Sequence, residues 1–235
     1  MPYEQSVAFS KTSEYYTKNQ NIKQAKSVIE NIQSSKIKDT AKKNIVLSLT
    51  KSLLLNEATE TALSISDPVL RAEALSQISK KYAEKGSFRK ALSITDLFYN
   101  EKIKVKTLIH ICMELSKQGN FNDALSITDT LGNYKDQALQ VIAVQYAYAN
   151  NTDESIKIAN AIENKTTKQE TLLELSKAFG SLKEFQYPML LIHQFEPESL
   201  QDQAFANFSF EYIKQNPLNK SKLIIAEISD SKVKD

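Results

Sequence analysis

The chain has no tryptophan, one cysteine, four glycines and five prolines in 235 residues. Each scarcity removes a class of fold. Glycine and proline together make up under 4% of the chain, against a usual share of roughly 12%. That leaves too few turn formers for the hairpins of an all-β protein. A single thiol, Cys112, rules out an internal disulfide framework. No stretch approaches the roughly 20 continuous apolar residues of a membrane helix. The N-terminal MPYEQSVAFSKTSEYY has neither a basic n-region nor an apolar h-region, so no signal peptide is read and the expected location is cytoplasmic. A charge excess is lacking too. The net charge is +2, with 10 Lys/Arg against 5 Asp/Glu over residues 71–117 and 11 against 16 over residues 118–235. Nucleic-acid binding usually calls for a concentrated basic face, and this bias is too weak for one.

What is present is repetition, the feature to seek before any other. ALSITD stands at 91–96 and again at 124–129, and ALSISD at 62–67. The alanine that opens each phrase serves as a marker: Ala62, Ala91 and Ala124. Similar spacing reaches back to Ala25 and forward to Ser155, Pro188 and Ser221, in steps of 37, 29, 33, 31, 33 and 33 residues. Other columns then align. Sixteen residues before the marker come Phe9, Val46, Leu75, Leu108, Leu139, Leu172 and Phe205, all large and apolar. Twelve before it come Ser13, Thr50, Ser79, Cys112, Ala143, Ser176 and Ser209, all small. Nine before it come Tyr16, Leu53, Tyr82, Leu115, Tyr146, Phe179 and Tyr212, all bulky. Apolar residues also stand three and seven after it, among them Ile94, Phe98, Ile127 and Leu131.

Large, small and bulky residues at intervals of four and three share one helical face. The small one belongs where two helix axes approach most closely. Gly86 and Gly119 fall five residues before the marker, with Asn150 and Asn216 in the equivalent places. Glycine and asparagine tolerate the left-handed backbone that ends a helix, so a turn is expected there. The marker then lies in the first turn of a second helix, where Pro188 is tolerated. Each repeat therefore reads as helix A, a tight turn and helix B. Seven such units, at 6–35, 42–70, 72–100, 105–133, 136–164, 169–197 and 202–230, fill one domain over residues 1–235. The fold class expected is all-α.

The segment LSQISKKYAEKGSFRKALSITDLF, with Tyr82, Gly86, Phe88 and Ala91, resembles a tetratricopeptide repeat, whose period is about 34 residues. The family's tryptophan and closing proline are missing. The resemblance implies a right-handed α-solenoid whose A helices line a concave groove for peptides or proteins. It also places Lys106, Ile109, His110, Met113, Gln137, Gln140, Val144, Tyr148, Leu173, Lys177 and Phe210 along that groove. The carboxylate clamp of some family members is not expected, because the corresponding places hold Ser76, Lys80, His110, Gln137 and Val141.

No reactive constellation emerges. His110 and His193 are the only histidines, without HxxxH, HExxH or cysteine-cluster spacing. Cys112 sits in the small-residue column, where a buried thiol is expected. His110, two residues away on one helix, points to a different face. No P-loop is present, and no cofactor or metal is expected. The function expected is a non-enzymatic protein–protein interaction scaffold, an adaptor or chaperone binding a peptide or helical segment. The alternatives are an RNA-reading helical repeat, since KQGNFNDALSITDTL also resembles pentatricopeptide units, and a regulatory subunit of a larger assembly. In the last helix, SKLIIAEIS, Leu223 and Ile225 have no following unit to cover them, which suggests self-association or a partner at that edge.

Overall fold

The computed structural model describes residues 2–182, 186–196 and 198–214. Among them the chain is all-α, with no strand. Long helices alternate with short ones. The long helices are α1 (Pro2–Lys18), α3 (Ser35–Lys51), α5 (Pro68–Glu84), α7 (Glu101–Lys117), α9 (Lys135–Tyr148), α11 (Lys165–Gly180) and α13 (Glu198–Ile213). Between them lie α2 (Ile22–Ile29), α4 (Leu55–Leu63), α6 (Phe88–Thr95), α8 (Phe121–Thr128), α10 (Thr152–Asn160) and α12 (Gln186–Ile192). The residues divide into two compact units, Met1–Glu114 and Leu115–Asp235, with the division inside α7.

One turn, made five times, sets the long–short alternation. Gln20, Leu53, Gly86, Gly119 and Asn150 all have positive φ, between 58° and 80°. They are spaced 33, 33, 33 and 31 residues apart by their own numbers. At each, the left-handed residue donates its N–H three residues back: Gln20 to the Thr17 carbonyl, Leu53 to Thr50, Gly86 to Ala83, Gly119 to Ser116 and Asn150 to Ala147. The next residue donates five back, to the carbonyls of Tyr16, Leu49, Tyr82, Leu115 and Tyr146, at 2.8–2.9 Å. This pair of bonds satisfies carbonyls that a helix C-terminus otherwise leaves open.

The turn corrects the register of the second repeat. Leu53 is the left-handed turn residue there, 47% exposed, and not the buried bulky residue expected. The marker five residues beyond it is Ala58, which is fully buried, in place of Ala62. Steps of 37 and 29 become 33 and 33. Leu49 takes the bulky place and Val46 the close-approach place, both fully buried. Lys42 stands where a large apolar residue was expected, its Nζ donating to the Ser64 carbonyl at 2.6 Å. Val69, seven residues after Ala62 and so in an apolar column of the first register, is exposed. The third copy of the repeated phrase misled because it does a different job. ALSITD at 91–96 and 124–129 occupies the body of a short helix, whereas ALSISD closes α4 and supplies the cap of α5. There the Asp67 carboxylate accepts from the N–H groups of Val69 and Leu70, with Pro68 at the first helical position.

Elsewhere the small column holds, while Phe9, Tyr16, Val28 and Ile127 of the apolar columns are half-buried. Ser13, Ser79, Cys112, Ala143, Ser176 and Ser209 are all buried. Ser13 and Ser79 also donate their Oγ to the carbonyls of Ala25 and Ala91 in the paired short helix, at 3.2 and 2.7 Å. In unit Met1–Glu114, α1 packs on α2 and α3, α3 on α4 and α5, and α5 on α6. In unit Leu115–Asp235, α9 packs on α8, α10 and α11, and α11 on α12 and α13. Bulky-column rings pack on the preceding short helix. Tyr82 donates its hydroxyl to Asn56 Oδ1 at 3.0 Å, and Tyr146 stacks on Phe121 with ring centres 3.7 Å apart. A second small column runs eight residues before the corrected markers: Thr17, Thr50, Ala83, Ser116, Ala147 and Gly180, all buried. Gly180 shows why it must be small. A Cβ there would lie 2.5 Å from the Phe208 carbonyl oxygen, so α11 and α13 touch backbone to backbone.

A carboxylate near the start of a long helix ties in the next linker. Asp39, 4% exposed, accepts from the N–H groups of Ser66 and Asp67 at 3.0 and 2.8 Å. Asp136 accepts from Glu163 and Asn164 at 3.3 and 2.8 Å, and Ser6 Oγ accepts from Ser34 at 3.2 Å. All three stand nineteen residues before their markers. Such bonds satisfy linker N–H groups that the helices cannot reach.

Candidate functional site

Each long helix buries one side against its neighbours and keeps another open. The residues that the resemblance places on the groove all fall on the open side, and none is buried. In unit Met1–Glu114 they are on α7: Lys106 is exposed, while Ile109, His110 and Met113 are half-buried. In unit Leu115–Asp235, Gln137 and Tyr148 of α9 are exposed, and Gln140 and Val144 half-buried. Leu173 and Lys177 of α11 are half-buried, and Phe210 of α13 is exposed. Because α11 packs against both α9 and α13, this unit brings Val144, Tyr148, Leu173 and Phe210 onto neighbouring helices. Tyr148 and Phe210 are 55% and 65% exposed. The Lys214 ammonium lies 4.2 Å from the centre of the Phe210 ring, and Lys177 pairs with Glu174 at 2.7 Å. Leu173 also lines a cavity of about 230 Å³ between the N-terminal halves of α11 and α13, with Glu170 and Gln203.

The register error hid part of this surface. With Ala58 as marker, α3 presents Lys43, Asn44, Leu47 and Lys51 on the same side as Lys11 and Lys18 of α1 and Lys80 of α5. Spacing alone reveals this set once the turn residue is recognised, but a leucine with positive φ gives no compositional signal. The clamp-equivalent Ser76 is buried, its Oγ 2.7 Å from Thr107 Oγ1. Leu223 and Ile225, the proposed edge contacts, lie outside the described residues, as does Asn216.

A depression of about 900 Å³ lies in unit Leu115–Asp235 and is lined by Asp129, Gly132, Lys135, Asp136, Glu163 and Asn164 among others. Three of its charges, Asp129, Lys135 and Asp136, are engaged. Lys135 bonds Asp129 at 2.9 Å, and that hydrogen bond raises the lysine above its ordinary range. Asp136 holds the linker, as described above. Cys112 is fully buried in α7, and burial pushes its thiol from an ordinary value near 9 up to about 12. A protonated, enclosed thiol is neither nucleophile nor metal ligand. His193 is exposed and meets the Phe205 ring edge-on at 4.8 Å. Among the described residues no three His, Cys, Asp or Glu side chains gather where they could hold a metal ion. No helix among them is long and apolar enough to cross a membrane. No protein-family model, curated protein or solved structure matches the chain.

Proposed function

We propose that the chain is a tetratricopeptide-like α-solenoid of about seven helix pairs and works as a non-catalytic protein–protein interaction scaffold. The open side of its long helices receives a peptide or helical segment from another protein. The observation that carries the reading is the exposure of Tyr148 and Phe210. In unit Leu115–Asp235, whose other long-helix rings, Tyr146, Phe179, Phe205, Phe208 and Tyr212, are buried, two large rings stand open on the side that carries Val144 and Leu173. Exposed aromatic and aliphatic side chains on a rigid helical surface are the usual anchors of a protein interface. The five-fold recurrence of one turn and the 33-residue spacing support the repeat architecture.

The test is affinity capture with the wild-type chain beside a Tyr148→Glu, Phe210→Glu double variant. Both residues are exposed, so the variant keeps its helical circular dichroism. Proteins held by the wild type and lost by the variant are the expected result. Recovery of the same proteins by both would refute the reading.

A further inference from the structure

The open side of the long helices carries a different chemistry in unit Met1–Glu114, and it points to the partner's charge; the argument rests on the scaffold reading above. Over residues 1–114 there are 18 Lys/Arg and 12 Asp/Glu, a balance of +6, and over 115–235 there are 12 and 16, a balance of −4. Four lysines of the first unit share one side. Lys11 and Lys51 stand fourteen and seven residues before their markers, and Lys106 and Lys80 eighteen and eleven. At about 100° per residue, these offsets fall within roughly 60° of arc on α1, α3, α5 and α7. Three carboxylates share that side, and each already has a cation. Glu14 bonds Lys18 at 2.9 Å, which lowers its carboxyl below the usual range. Glu73 bonds Lys43, and Glu84 bonds Lys81 at 2.7 Å. Lys11, Lys51, Lys80 and Lys106 have no ion-pair partner among the described residues. Lys11 acts on Glu14 through space but bonds no carboxylate, so the surface presents four lysines outside any ion pair, one on each of four successive long helices.

We propose that this side of Met1–Glu114 binds an acidic, extended polypeptide segment laid across α1, α3, α5 and α7. The helices are contiguous: α3 packs on α1 and α5, and α5 meets α7 through Ser76 and Thr107. Axes about 8–10 Å apart give four helices a span of roughly 30 Å. The offsets of successive lysines differ by seven, four and seven residues, which adds about 6–10 Å along the axes at ~1.5 Å per residue. Neighbouring lysines therefore stand roughly 11–14 Å apart, and an Asp or Glu at every third or fourth position of an extended segment meets each in turn. A nucleic acid fits less well. Its continuous phosphates would run over Glu14, Glu73 and Glu84, and no arginine stands among these side chains to grip them bidentately.

The probe is a fluorescein-labelled peptide of ten glutamates with blocked ends, titrated with the full chain in 50 mM salt and read by anisotropy. One variant replaces Lys11, Lys51, Lys80 and Lys106 with Gln. A control variant of equal net charge replaces Lys23, Lys85, Lys90 and Lys165, which are exposed and lie off this side. The expected result is saturable binding that the first variant weakens about tenfold or more, while the control stays within about twofold. A ten-residue glutamine peptide is expected not to bind. Absence of saturable binding, an equal loss in both variants, or tighter binding of a single-stranded ten-nucleotide RNA would each overturn the proposal. None of these outcomes touches the Tyr148 and Phe210 test, which reads a different unit and carries the scaffold reading by itself.

Discussion

Cys112 shows how one position serves packing at the cost of reactivity. It stands in the column where two helices approach closely, and its full burial excludes the water a thiolate needs. The folded thiol is raised to about 12, so the folded protein keeps a proton that the unfolded chain loses near 9. Stability from this group is therefore complete below about pH 9 and is lost as pH rises toward 12. The slope is at most ~1.4 kcal/mol per pH unit. Urea midpoints at pH 8 and pH 10.5 are expected to fall further for the wild type than for Cys112→Ala, whose core has no titrating group at this position. Equal falls would show that the thiol ionises freely in the folded state. A disulfide reagent is likewise expected to label Cys112 only as the chain unfolds.

At the scale of the element, the left-handed turn matters more than the phrase that first drew attention. Gly86 and Gly119 meet its backbone requirement without strain, and Asn150 meets it at small cost. Leu53 meets it with a side chain that is 47% exposed. A non-glycine residue in this conformation costs roughly 1 kcal/mol or more. Leu53→Gly is therefore expected to stabilise the protein by about 0.5–1 kcal/mol, even though it deletes a large apolar residue and loosens the unfolded chain. Chemical denaturation checks the sign. A loss exceeding 1 kcal/mol would mean that Leu53 packs in a way its exposure does not show.

For the molecule as a whole, the principal packing within each unit joins helices one or two places apart along the chain. A structure of this kind is stabilised by nearest neighbours, so damage stays local. Asp39 tests the point, because its carboxylate holds two linker N–H groups in a buried place. Asp39→Ala leaves both without their acceptor, at a cost of about 1–3 kcal/mol. Amide exchange is expected to quicken in α3, α4 and the first turn of α5, and to stay unchanged in α11 and α13. Uniform quickening across all helices would mean that the chain unfolds as a single cooperative body.

The all-helical class, the turns at Gly86, Gly119 and Asn150, and the burial of the small-column residues were legible from residue spacing. Helical periodicity and glycine's left-handed preference act locally and leave a mark on composition. The true register of the second repeat, the interlocking Asp39 and Asp136, and the backbone contact at Gly180 were not. They depend on which groups meet across thirty residues of chain, and no local pattern encodes that meeting. So the sequence by itself determined that the described residues are all helical. Only the packing of those helices decided which copy of the phrase fills the body of a helix and which closes one. It also decided which lysines are left without a carboxylate and which aromatic rings are left in water. Burial and ion pairing are properties of neighbours in space, and those neighbours exist only once the chain has folded.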